Sequence, residues 1–440
     1  MATVKEQVLE NLRIFSDEPE EVELFFGYQQ YSEQVTNLVI DEKTPTPFVI
    51  AIHGEWGSGK TTLIKKIKQM VDAKIENKKD WHTIEFDVWE YERVDIVSSL
   101  FQIIEKEYST KKTKIKKFSK SVSLFLTDLA LQRTAGTDLE KIKTHFHEFI
   151  SKISTIKKDL ETIVEKGRLI IFLDDLDRCH IDNVLNMLEA IKMFLTARGV
   201  IFVIPVDMEK IERAWKLRYN TAEGLIEGRE HTEKIFQLKL AFPPKDTETE
   251  KYVEALIPSL AKAEQKLIAI GSRNNPRKIK RVINLIYFLL KNLDDDEKFD
   301  EKVQPTILWC LLTSYYPEIA KIIKNDPMTL IILSFICINL DFDSLKSYWP
   351  KIETIKETGS NIPLRTTNMS RNDVTMSTID ALRIIIKQHN DAFLLFQLFG
   401  HENSFLHEAP SDPHPKLLEL KQKIMPIFLE VLSKGGMTGI

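Results

Sequence analysis

The sequence predicts an α/β protein: a mostly parallel sheet with helices on both faces, followed by segments that are helical throughout. Three observations predict it. Between about residues 48 and 242, short runs rich in Ile, Val and Phe alternate with stretches of helical periodicity. Alternation of that kind gives a sheet covered on both faces. After Pro243 and Pro244 the strand pattern stops, and apolar residues recur at helical spacing instead. The length of 440 residues, finally, exceeds one ordinary core and implies two or three packed units.

The strand candidates, in order, are FVIAIHG from Phe48, HTIEFDVW at 82–89, RLIIFLDD at 168–175, GVIFVIPVD at 199–207 and IFQLKLAF at 235–242. Each is short, apolar and β-branched or aromatic. Between the second and third lies a long helical insertion, about 94–166, carrying the basic run KKTKIKKFSK at 111–120. The expected organisation is a core at 1–245 containing that insertion, a helical lid at 246–293 and a C-terminal helical domain at 300–440. The acidic stretch DDDEK at 294–298 reads as the linker between the last two.

Composition restricts the function classes. Hydrophobic residues make up 43% and charged residues 29%, as in an ordinary folded domain. A net charge of -4 gives no bulk attraction to nucleic acid or acidic membrane. Three scattered cysteines, Cys179, Cys310 and Cys337, fit neither a disulfide framework nor paired zinc ligands, and suit a reducing cytoplasm. The N-terminus lacks the apolar region of a secretory signal. The longest apolar run, Met328 to Leu340, is shorter than the roughly 20 residues of a membrane span and is expected to form a buried helix.

The chemistry concentrates in two motifs. GEWGSGKT, Gly54 to Thr61, follows an apolar strand and precedes the helical pattern TTLIKKIKQMV. Glycines let backbone approach phosphate oxygens, and the helix N-terminus favours anions. Lys60 reaches the outer phosphates of a nucleotide and Thr61 coordinates magnesium. The candidate nucleotide-binding set is therefore Gly54, Glu55, Trp56, Gly57, Ser58, Gly59, Lys60, Thr61 and Thr62. Trp56 and Glu55 need no catalytic role, since a packed aromatic and a solvated charge account for them.

The second motif is LIIFLDDLDRC, in which an apolar strand ends in Asp174 and Asp175. A buried strand that delivers a carboxylate to its C-terminal end places it beside the phosphate loop, so Asp174 is the expected second magnesium ligand. Asp175 is the candidate for polarising the attacking water, and Asp177 reads as a helix cap. Asp207, ending the fourth strand, is either a sensor of the outer phosphate or an acid closing a loop. Arg277 starts a lid helix after Pro276 and could reach the nucleotide, although a solvated face explains any one of Arg277, Lys278, Lys280 and Arg281. The basic run could contact polyanions or form a solvated helix, and it lacks the aromatic interleaving that stacks bases.

Six ordered blocks, GEWGSGKTT, FDVWEYE, IIFLDDLDRC followed by LEAIKMFL, FVIPVD, EKIFQLKLAFPP and NPRKIKRVIN, together resemble the KAP family of P-loop NTPases over about residues 20 to 290. The resemblance implies an additional-strand ATPase core related to the AAA and STAND groups. ATP and magnesium would be its cofactors, held by Lys60, Thr61 and Asp174, with Asp175 acting near the water. Arg178 and Arg277 are similar to family arginines that contact nucleotide or a neighbouring subunit. Many members carry transmembrane helices between the two motifs, whereas this chain has a basic helical insertion. It looks more like the bacterial members, which resemble phage-exclusion factors, than the membrane-linked animal scaffolds. The complete nucleotide set joined to a lid and a separate helical domain points to an ATP-driven switch, with self-association or a protein partner at the C-terminal helical domain. The alternatives are a nucleotide-stabilised scaffold and a nucleic-acid-dependent ATPase.

Overall fold

The structure, a computed structural model, describes the chain except residues 1–2, 11, 18–24, 26, 94–95, 111, 135–153, 195–196, 220–229, 231, 243–247, 295–298, 326–395, 397–413 and 436–440. The apolar run 328–340, much of the C-terminal domain and part of the insertion therefore lie outside the described residues. The chain forms two compact units, one of residues 19–244 and one of residues 1–18 together with 245–440. The first eighteen residues thus belong with the C-terminal half, a grouping that no local pattern announces.

In chain order the elements are α1 (Val4–Leu9), α2 (Tyr28–Ile40), β1 (Phe48–His53), α3 (Lys60–Ile75), β2 (Trp81–Asp87), α4 (Ile96–Glu107), α5 (Lys112–Thr134), α6 (154–164), β3 (Arg168–Asp174), α7 (Ile181–Phe194), β4 (Val200–Val206), α8 (Met208–Tyr219), α9 (232–235) and β5 (Leu238–Ala241). The remaining helices are α10 (Thr249–Leu256), α11 (Lys262–Gly271), α12 (Pro276–Asn292), α13 (Phe299–Tyr315), α14 (Pro317–Asn325) and α15 (His414–Gly435). A 3₁₀ turn, Leu176–Arg178, follows β3.

All five expected strands form, in one parallel sheet of order β2-β3-β4-β1-β5. Every residue of β3 and β4 is buried, because helices cover both faces of the central strands. The sheet places β4 between β1, which leads into the phosphate loop, and β3, which carries the acids. That inserted strand is the defining feature of an additional-strand core. Parallel pairing also sends the C-terminal ends of β1, β2, β3 and β4 to one edge, and Asp87 lies in register with Asp174.

Helix α3 buries Leu63, Ile64, Ile67, Val71 and Ile75, a stripe at helical spacing that seats it on the sheet. At the opposite edge from the motifs, buried Arg168 donates from Nη1 to the Val39 carbonyl (3.1 Å) and from Nη2 to the Thr44 carbonyl (3.0 Å). Its guanidinium also lies over the Trp81 ring at 4.9 Å. One side chain thereby ties β3 to the C-terminal end of α2.

In the other unit α12 is the organising helix, burying Ile279, Val282, Ile283, Ile286, Leu289 and Leu290. The N-terminal segment is pinned along it. Asn284 accepts from the Phe15 N–H at 2.7 Å and donates to the Phe15 carbonyl at 2.8 Å. Lys5 donates to the Leu293 carbonyl at 2.6 Å. Buried Lys302 on α13 reaches Glu430 on α15 at 3.0 Å, which attaches the last helix.

A candidate nucleotide site at the C-terminal edge of the sheet

The phosphate loop leaves β1 at Gly54 and enters α3 at Lys60. Gly57 and Gly59 have φ of 79° and 97°, in the left-handed region that glycine adopts without strain. No side chain caps α3, and no acid occupies its first turn. The unsatisfied N–H groups of a helix start are therefore left for an anion. Gly54 and Ser58 are buried, Gly57, Gly59, Thr61 and Thr62 are half-buried, and Glu55 and Trp56 are exposed.

Buried Lys60 donates to the carbonyls of Gly54 (2.8 Å) and Glu55 (3.2 Å). Its ammonium also stands 3.2 Å from Asp177 Oδ2. The distance is that of an ion pair, while the angle is not that of a hydrogen bond, since Asp177 Oδ2 has no hydrogen-bond partner. This corrects the expectation that Asp177 is a helix cap. The carboxylate is 7% exposed, and a buried anion needs a cation more than a turn needs a cap.

Asp174 ends β3 as expected, 7% exposed. One oxygen accepts the Asp175 N–H at 2.8 Å, and the Thr61 hydroxyl is near enough to lower the pKa of the same carboxyl. The two expected magnesium ligands, from α3 and β3, thus lie near one another. Burial raises the pKa of Asp174, and the charge of Asp87 raises it further, against the hydrogen bond from the Asp175 N–H, the nearby Thr61 hydroxyl and the charge of Arg178. Asp87 is a carboxylate outside both motifs. It ends β2 as Asp174 ends β3, and that shared position at a strand end was the available signal. Its Oδ1 accepts the N–H groups of Trp89 (3.0 Å) and Glu90 (3.2 Å).

Asp175 occupies a left-handed conformation, φ 54°, and its Oδ1 lies 2.8 Å from Arg178 Nε. Burial first, then the charge of Asp174, push its carboxyl up to about 7, with Arg178 opposing. The Arg178 guanidinium sits over the ring of exposed Trp89 at 5.6 Å. Cys179 is next in the chain; burial and then Glu92, Asp87, Asp175 and Asp177 push its thiol up to about 12.

Arg277 lies in the other unit, at the start of α12, with Nε 3.7 Å from Asp17 Oδ2. Arg281 reaches the same oxygen at 2.5 Å. Asp207 caps α8, its Oδ1 accepting the Glu209 N–H at 3.1 Å, which is how an acid closes a loop. Within the basic run, Lys114 pairs with Glu165 and Lys117 lies 3.1 Å from Asp159, so two of its charges are answered by carboxylates of the same unit. Among the described residues, no helix is long and apolar enough to cross a membrane.

Residues 28–292 match the model of the KAP family P-loop domain. An uncharacterized protein of Methanocaldococcus jannaschii is 28% identical over a 172-residue alignment that covers 28% of this chain and 89% of that protein. Among solved structures, the Aeropyrum pernix ORC2 protein in its ADPNP-ADP complexes aligns with 13% identity and a TM-score of 0.35, covering 98% of both chains. A Walker-type ATPase of Pyrococcus abyssi aligns with 14% identity and a TM-score of 0.34, covering 89% of this chain and 99% of that one. Scores this low add nothing to the assignment. The family match takes in both motifs, all five strands and α12, and extends over more than half of the 440 residues: this chain belongs to the KAP family of P-loop domains.

Proposed function

We propose that this protein binds ATP with magnesium and hydrolyses it, using the change between nucleotide states as a switch. The observation that carries the reading is the convergence of the phosphate loop on the acids after β3, where Lys60 stands 3.2 Å from Asp177, three residues beyond Asp174. It puts Thr61 and Asp174, which would share a magnesium ion, near one another beside a helix start with no side-chain cap of its own. The crowding of Asp87, Asp174 and Asp175 is a repulsion that a divalent cation relieves.

On this reading the N–H groups of Gly57 to Thr62 cradle the phosphates, and Lys60 leaves Asp177 for the outer ones. Thr61 and Asp174 would hold magnesium, which would supply charge neutralisation on the phosphates. Asp175 accepts the proton of the attacking water, and its carboxyl near neutrality suits that exchange. The biological assignment to defence against phage rests on the family resemblance.

The test is phosphate release from ATP by the purified full chain, with and without magnesium. Turnover that requires magnesium, is lost in Asp174→Asn and leaves ATP trapped in Asp175→Asn supports the proposal. A chain that neither binds nor turns over ATP under these conditions sinks it.

A further inference from the structure

Both ends of the phosphate loop rest on aromatic rings from outside its sequence string. The Tyr28 hydroxyl, at the start of α2, donates to the Ser58 carbonyl at 2.6 Å. Its ring lies so close that a Cβ on Gly59 would meet it at 3.3 Å. Tyr28 in turn meets Phe242 edge to face, with ring centroids 5.0 Å apart. Phe242 closes the other end, where a Cβ on Gly54 would meet it at 3.1 Å. The Phe242 N–H is held by the His53 carbonyl at 2.7 Å, as the residue directly after β5.

We infer that Tyr28 and Phe242 are positioning residues for phosphate binding, with Tyr28 setting the direction of the Gly59 N–H. A trans peptide is planar, so its carbonyl and its N–H point opposite ways. Tyr28 pulls the Ser58 carbonyl toward α2 and thereby turns the Gly59 N–H away from α2. Gly59 has φ of 97°, a conformation with an easy alternative for glycine, so the peptide needs an external hold. Tyr28 supplies that hold: it is 4% exposed, and its hydroxyl makes the short bond just described. Phe242 keeps the Tyr28 ring from swinging and also limits movement of Gly54.

The inference rests on the phosphate-binding reading above, and Tyr28→Phe tests it because only the hydroxyl is removed. Ser58–Gly59 is the one Ser-Gly step in the chain. Carbonyl-¹³C serine with ¹⁵N glycine, introduced by cell-free synthesis, therefore isolates the Gly59 amide as a single correlated NMR signal. In nucleotide-free Tyr28→Phe that signal should move. ATP affinity should fall about three- to tenfold, the worth of one neutral hydrogen bond, with KM affected more than kcat. Phe242→Leu should also raise KM. An unmoved Gly59 signal, or unchanged ATP affinity in a folded Tyr28→Phe protein, overturns the inference. If the wild type itself binds no ATP, the proposed function falls instead, and the Gly59 signal still decides whether Tyr28 holds the peptide.

Discussion

Lys60 faces Asp177 across 3.2 Å in a buried pair, so the lysine expected to meet phosphate already has an anionic partner within its own fold. On the proposed function the phosphates would compete with Asp177 for the ammonium, and whichever lost would be left without its ion pair.

Lys60→Ala is therefore expected to destabilise the nucleotide unit by about 3–5 kcal/mol, because it strands a buried carboxylate. The double variant Lys60→Ala with Asp177→Asn should recover most of that loss. Thermal unfolding of the two single variants and the double variant measures the coupling. Asp177→Asn alone should bind ATP more tightly than the wild type, and a weaker affinity by titration calorimetry would reject the competition. Loss of function in Lys60→Ala alone is thus no clean sign of lost nucleotide binding.

Thr61→Val keeps the size of the side chain and removes the hydroxyl that lies near Asp174. ATP affinity in the presence of magnesium should drop roughly tenfold, while affinity measured in chelator stays near the wild-type value. Thr61→Ser should retain the magnesium effect. Equal losses with and without magnesium would mean that the hydroxyl supports only the fold.

The Cys179 thiol, pushed up to about 12 by burial and neighbouring carboxylates, should resist alkylation. An ordinary thiol is half ionised near pH 8.5, so at that pH the thiolate fraction of Cys179 is lower on the order of a thousandfold. Iodoacetamide labelling followed by peptide mass analysis checks this. Labelling at the rate of free glutathione would contradict the electrostatics described for the site.

Removing Arg168 leaves the Val39 and Thr44 carbonyls buried without their donor. Arg168→Met should cost about 2–4 kcal/mol, one to two lost buried partners, with ATP turnover per folded molecule little changed. The comparison of unfolding midpoint with turnover separates this structural clamp from the site.

The hydrogen bond from Arg281 holds the Asp17 carboxyl below its ordinary range against the opposing effect of burial, with charge from Arg281, Arg277 and Lys280 adding to the lowering. A carboxylate whose pKa is depressed by folding contributes stability above its unfolded value, about 3.9, and loses it as pH falls through the folded value. The contribution is small, since Asp17 is 41% exposed. Carbon-detected NMR titration of Asp17 should give a midpoint below that of a free aspartate. Arg281→Gln should raise it, and an unmoved midpoint would remove Arg281 as the cause.

Reading the residues in order recovers most of the framework. The strands from Phe48, Arg168 and Val200 are legible because central parallel strands are continuous apolar runs, and their burial on both faces requires that composition. Gly54 to Thr61 and Asp174 are legible because phosphate-binding backbone and strand-end acids leave local signatures. Asp87 escaped because its run, HTIEFDVW, alternates as an edge strand does and lacks the density of the β3 run. Tyr28 escaped because nothing in YQQYSEQ marks a residue that will touch the loop thirty positions on.

The sequence by itself determined the strands, the phosphate loop, the acid at the end of β3 and membership of the family, since each depends on residues close together in the chain. Tertiary structure alone decided which charge Lys60 meets, that Asp87 joins Asp174, that Asp17 receives Arg277 and Arg281, and that Tyr28 and Phe242 hold the two ends of the loop. These are pairings between segments far apart along the chain. Their partners are chosen by which groups parallel pairing and helix packing bring to one edge, and by the cost of burying a charge or a carbonyl without one.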